Sequence, residues 1–171
     1  MKTLSLWQPW ASAMAIGSKS IETRSWVTTY RGPVVIHAAK RCNKNELIDI
    51  ACHWGWKGAL RPFLEQDHYL WKVLPFGALL SVGNLVDIRP TESFTQGEIL
   101  TRHRADGEKT DLYDWTQKML GDFGLDRFGW IFRGMRCFAE PISLLGHQGL
   151  FNVPDHIIPE EFRRWPWNAP V

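Results

Sequence analysis

The chain has 171 residues, with 20 basic against 18 acidic side chains, 44% hydrophobic and 22% charged residues, a balance that suits one soluble globular domain and excludes a disordered chain. No apolar run is long enough to cross a bilayer: the best, residues 77–86, is broken by Ser81, Gly83 and Asn84, and the N-terminus turns polar at Gln8-Pro9 before a signal-peptide core is complete. The three cysteines (Cys42, Cys52, Cys137) are odd in number and form no CxxC pair, so a disulfide framework or zinc ribbon is not expected, no metal or cofactor is assigned, and a reducing cytoplasm is the default.

Residues 3–7 alternate enough for a short strand. Pro9 fits the first turn of a helix that Gly17 stops. Residues 20–26 read as a strand of period two, with Ile21 and Thr23 on one face and Glu22, Arg24 and Trp26 on the other. Residues 34–38 form an apolar, β-branched run suited to a central buried strand. Asn43 and Glu46 make a capping-box variant ahead of Leu47, Ile50, Ala51 and Trp54 at helical spacing. A second helix is expected over 58–74 and a long strand over 76–88, bent or bulged at Gly83.

Residues 89–127 are more polar. Two helical patches, near 95–103 and 111–120, make this segment read as an insertion or lid. A strand over 128–132, a turn at Arg133-Gly134, further strands over 137–145 and 150–153, and a short helix at 160–164 complete the chain. These elements predict an α+β fold, a small mixed β-barrel decorated with helices.

Charge is unevenly placed. Residues 1–41 carry six basic side chains (Lys2, Lys19, Arg24, Arg31, Lys40, Arg41) against one acid, Glu22. This points to a local anionic ligand, or simply to solvated side chains that fall early in the chain. The ten tryptophans are the other excess, and tryptophan serves cores, interfaces and base-stacking surfaces alike. Trp7 and Trp130 read as barrel core, Trp54, Trp56 and Trp71 as helix packing, Trp115 as part of the insertion, and Trp165 and Trp167 as pins for the tail.

Four stretches in order carry a family pattern: Leu4-Ser5-Leu6-Trp7-Gln8-Pro9-Trp10-Ala11; a GxKxxExR motif at Gly17, Lys19, Glu22 and Arg24; Tyr30-Arg31-Gly32-Pro33 running into Val34-Val35-Ile36-His37-Ala38-Ala39-Lys40; and Phe128-Gly129-Trp130 with Gly146-His147-Gln148-Gly149. The chain resembles the ASCH domain family, a PUA-like β-barrel group related to RNA-modification modules. The likeness covers residues 3–41, 76–88 and 128–153 of what reads as a single domain, 1–171. Segments 42–75 and 89–127 are variable connections, and 154–171 is a tail. The resemblance implies a cleft for RNA, a nucleotide or a modified nucleoside, with no membrane partner. Relatives of similar fold hydrolyse N4-acylated cytidine with the motif lysine, a threonine and a glutamate from a distant segment; here Lys19 matches and Glu22 stands at the threonine position. Ribonuclease activity has also been ascribed to the family.

Lys19 and Glu22 are the catalytic candidates should the chain be an amidohydrolase or, less readily, a ribonuclease. Glu22, Arg24 and Trp26 on one strand face make a nucleobase reader: the carboxylate accepts from an amino edge, the guanidinium grips an anion and the indole stacks. An ion pair between Lys19, Glu22 and Arg24 is the plainer alternative. Gln8, Trp10 and Tyr30 are candidates for the cleft lining. His37 reads either as a hydrogen-bonded core histidine or as a site residue, and Lys40 either as a phosphate contact or as a solvated lysine.

Overall fold

Val34 and Ile36 are buried on one face of a strand and Val35 on the other, as the period-two geometry of extended chain requires. That strand, β3 (Gly32–Ala38), is internal to a six-stranded sheet. The computed structural model describes residues 1–94 and 117–163. The other strands are β1 (Lys2–Leu6), β2 (Ile21–Arg24), β4 (Ala78–Pro90), β5 (Phe128–Ser143) and β6 (Leu150–Asn152). The helices are α1 (Trp10–Ala15), α2 (Lys44–Cys52), α3 (Trp54–Ala59), α4 (Arg61–Leu64), α5 (Leu70–Val73) and α6 (Glu160–Arg163), with a further helical stretch at 117–119.

The strand order is β2-β5-β4-β3-β1-β6. β1 and β3 run parallel, and every other pair is antiparallel. The sheet curls, because β2 at one edge and β1 next to the other are close enough for Arg24 to hydrogen-bond the Ser5 carbonyl at 2.7 Å. The result is the expected α+β mixed half-barrel. Its concave face packs Leu4, Leu6, Val34, Ile36, Trp130 and Phe132 against Met14 of α1. The opposite face packs Val35, Leu79, Val82 and Phe138 against Val153, Ile158 and Phe162 of the C-terminal segment. A third cluster gathers α2, α3 and α5 around Leu47, Trp56, Leu60 and Leu70.

Three expectations need correction. The single helix over 58–74 is three short ones: Pro62 stands in the first turn of α4, where no helix can continue into it from α3, and the Asp67 carboxylate accepts from the Tyr69 amide at 2.8 Å, which turns the chain before α5. Arg133-Gly134 is not a turn. β5 runs on through Gly134, whose φ of +60° places an extra residue in the strand, so that Asn84 pairs with Arg133 but Val82 pairs with Arg136. Gly83 sits at that irregularity, as anticipated. Trp54 is 72% exposed, so it does not pack α3 onto the barrel; Trp56 does. The patch 95–103, most of 111–120, and Trp115, Trp165 and Trp167 lie outside the described residues. No described helix is long and apolar enough to cross a membrane.

Candidate functional site

Gly17 closes α1 with φ +77°, a conformation that favours glycine, and the reversed chain brings the Lys19 amide to the Ala13 carbonyl at 3.0 Å. The Lys19 side chain therefore enters the protein and is fully buried. Its ammonium donates to the carbonyls of Ile21 (2.6 Å) and Leu120 (2.7 Å), and lies 3.4 Å from Glu22 Oε2. Three donors meet three acceptors. Burial pushes the Lys19 pKa below its ordinary value; the Glu22 charge opposes that shift, and Arg24 adds to it.

Glu22 continues the chain of charge, with Oε1 3.1 Å from Arg24 Nε. That contact is electrostatic, since the Arg24 Nε–H has no acceptor in line. Arg24 is anchored instead through Nη2 on the Ser5 carbonyl. The two side chains remain partly open, at 10% and 26% exposure. They look into a cleft of about 510 Å³ that also takes in Trp7, Trp10 and Trp26.

The aromatic walls are braced from behind. Trp26 meets Trp130 edge-on, with ring centroids 4.6 Å apart, and its carbonyl accepts from the Trp130 indole at 3.1 Å. Trp10 meets Trp56 edge-on at 5.6 Å, linking α1 to α3. Edge-to-face packing of this kind holds each ring orientation.

The far wall comes from residues 117–122, at the end of the supposed insertion. Buried Gln117 accepts from the Ser20 amide (2.9 Å) and donates to the Ser18 carbonyl (2.9 Å), while the Asp122 amide donates to Thr23 Oγ1 (3.0 Å). Met119, Leu120, Gly121 and Asp122 thereby line the cleft, with Arg127 paired to Asp122 at 3.3 Å. Glu46 of α2 reaches the rim. Among the described residues no group of three or more His, Cys, Asp or Glu side chains could hold a metal ion, and all three cysteines are free.

The structure thus brings Trp10, Lys19, Glu22, Arg24 and Trp26 together, and keeps the other four candidates apart from the cleft lining. Gln8 is buried at the head of α1, donating to Ser12 Oγ (2.8 Å) and the Pro75 carbonyl (2.6 Å) and accepting from the Ser12 amide (3.1 Å). Tyr30 donates to the Pro33 carbonyl at 2.8 Å. His37 is buried on the opposite sheet face from Ile36, between Ser5 Oγ (2.9 Å) and the Leu144 carbonyl (3.0 Å). Lys40 is exposed beyond the end of β3.

Trp7 departs from expectation in the other direction. β1 ends at Leu6, so the next residue leaves the alternation; Trp7 is 53% exposed at the mouth of the cleft and not in the core. Ser5, Glu46, Arg127 and residues 119–122 were not singled out as cleft residues by the sequence, because their place in the cleft depends on contacts between distant segments.

Residues 4–121 match the family described as ASCH domain. The chain is 32% identical over 94 residues to the "Activating signal cointegrator 1" proteins of Homo sapiens and Mus musculus, an alignment that covers 54% of this chain and 15% of each relative.

Proposed function

We propose that this chain, which belongs to the ASCH domain family, binds RNA by taking a base into the Glu22–Arg24 cleft. One observation carries the reading: a carboxylate and a guanidinium 3.1 Å apart, both partly open, facing a cleft walled by Trp10 and Trp26. Glu22 accepts from an exocyclic amino group, Arg24 donates to a neighbouring carbonyl or ring nitrogen, and an indole covers the base. A volume of about 510 Å³ falls in the range of small-ligand sites. A carboxylate beside the guanidinium disfavours a bare phosphate and favours a base edge with a donor beside an acceptor.

Lys19 supports a binding role over acid–base chemistry. Its ammonium is surrounded by acceptors and has no exposed surface, so it fixes Glu22 and the Leu120 wall and does not meet a ligand. The test titrates the four nucleoside monophosphates, N4-acetylcytidine and short single-stranded RNAs into the full chain, following tryptophan fluorescence and product formation. Binding that weakens at least about tenfold in Glu22→Gln and Arg24→Ala supports the reading. No binding, or binding indifferent to both substitutions, overturns it. Hydrolysis of N4-acetylcytidine that Glu22→Gln abolishes replaces it with the amidohydrolase reading.

A further inference from the structure

At the mouth of the cleft lies a feature that the Glu22–Arg24 reading does not use. Trp7 leaves 53% of its surface in solvent, and the guanidinium of Arg41 stacks over its ring at 3.7 Å. The Ala39 amide donates to the Leu6 carbonyl at 2.8 Å, which holds the 39–41 turn beside the end of β1. Arg41 and Lys40 are both exposed there. Lys44 follows, also exposed, with its ammonium 5.8 Å from the Trp71 ring, and residues 40–45 contain no acid. The lip is therefore a half-exposed indole with a guanidinium over one face and further cations beside it, the next acid in sequence being Glu46 at the cleft rim.

We infer that this lip is a second subsite, on which the nucleotide next to the one in the cleft stacks on Trp7 and its phosphate meets Arg41 and Lys40, so that the ligand is a single-stranded RNA chain and not a free nucleoside. This rests on the cleft reading above and deepens it. A nucleoside ends at its sugar and leaves the lip cations without a partner. A continuing strand carries a phosphate past them and a second base over the ring, the two contacts that single-strand binders combine. A duplex fits poorly, because its bases are already stacked on one another and only its backbone is offered to the lip. An acidic peptide shares the charge complementarity but offers no base for the indole.

The test measures anisotropy of a labelled, mixed-sequence single-stranded RNA of about 12 nucleotides over a range of salt, with cytidine and adenosine monophosphate titrated in parallel. The oligomer is expected to bind at least about tenfold more tightly than either mononucleotide, and Trp7→Ala to remove about that factor. Arg41→Gln and Lys40→Gln are each expected to weaken the oligomer and flatten its log–log salt slope by about 0.7, leaving mononucleotide affinity unchanged. All three positions are exposed, and a thermal melt verifies that the variants fold.

Equal affinity for oligomer and mononucleotide overturns the lip while leaving the cleft reading in place. So does an unchanged salt slope in both glutamine variants, or an acidic peptide or a duplex that binds as tightly as the single strand. Failure of the wild type to bind either nucleic-acid probe overturns both.

Discussion

Arg24 donates from Nη2 to the Ser5 carbonyl at 2.7 Å while its Nε stands 3.1 Å from Glu22 Oε1. One guanidinium thus spans the seam of the curled sheet and steers the carboxylate that faces the cleft. β6 pairs with β1 only as far as Leu4, so the carbonyl that Arg24 takes lies one residue beyond the last ladder partner. The curl of the sheet and the placement of the Glu22 carboxylate are joined in a single side chain.

Arg24→Lys tests that joint role. Lysine keeps the charge but has no planar fork to reach both partners. We expect a loss of about 1.5–3 kcal/mol in urea unfolding, the worth of a hydrogen bond to a charged group, together with weaker RNA binding. Wild-type stability in the lysine variant shows that the seam holds without the fork.

Lys19→Met keeps much of the side chain's bulk and removes its charge. The Ile21 and Leu120 carbonyls and the Glu22 carboxylate then lose their donor in a buried setting. A destabilisation of about 3 kcal/mol is expected, because breaking one side of a buried pair costs far more than the pair itself contributes. A loss under about 1 kcal/mol in thermal unfolding argues against Lys19 as the organiser of the site.

Gly146→Ala addresses the loop that follows β5 and packs on β1 and β3. A methyl at this position sits 2.2 Å from His37 Cε1 and 2.8 Å from Ser5 Oγ. His37 is buried and held at both ring nitrogens, so it cannot give way cheaply. Overpacking of about 1–3 kcal/mol follows. An unchanged melting temperature rules out the tight docking of this loop on β1 and β3.

His37 also sets a pH dependence. Burial lowers its pKa below the ordinary imidazole value of 6.5; its bond to the Leu144 carbonyl opposes the shift and the charge of His147 reinforces it. As pH falls through 6.5 the unfolded chain takes up a proton that the folded one resists, so the contribution of this group is complete above 6.5 and is lost below it, down to the lowered folded value. His37→Gln is expected to flatten the fall in the urea midpoint between about pH 7 and pH 5. An identical fall in both proteins assigns the effect to other groups.

The sequence was informative where chemistry and periodicity coincide locally. The GxKxxExR spacing placed Glu22 and Arg24 on one strand face, and they contact one another there. Asn43 capped α2 as its pattern required, accepting from the Glu46 amide at 3.4 Å. Tyr30 and His37 stand in the same family stretches, yet their side chains are spent on the Pro33 carbonyl and on Ser5 and Leu144. A motif position reports shared geometry, and a residue that staples two strands fulfils it as well as one that touches a ligand. Trp7 was misplaced by a single residue of strand length, because alternation cannot say where a strand ends. Gln117 was invisible, since its value lies in three partners on a distant segment.

Gln117, Leu120 and Asp122 lie 96 to 101 positions away from the residues they secure. During synthesis the whole lysine–glutamate–arginine motif is made long before the residues that complete its surroundings. At about 5–20 residues per second the gap is about 5–20 s. Through that interval Lys19 lacks the Leu120 carbonyl and Thr23 the Asp122 amide, so a nascent chain carries the motif without its cleft.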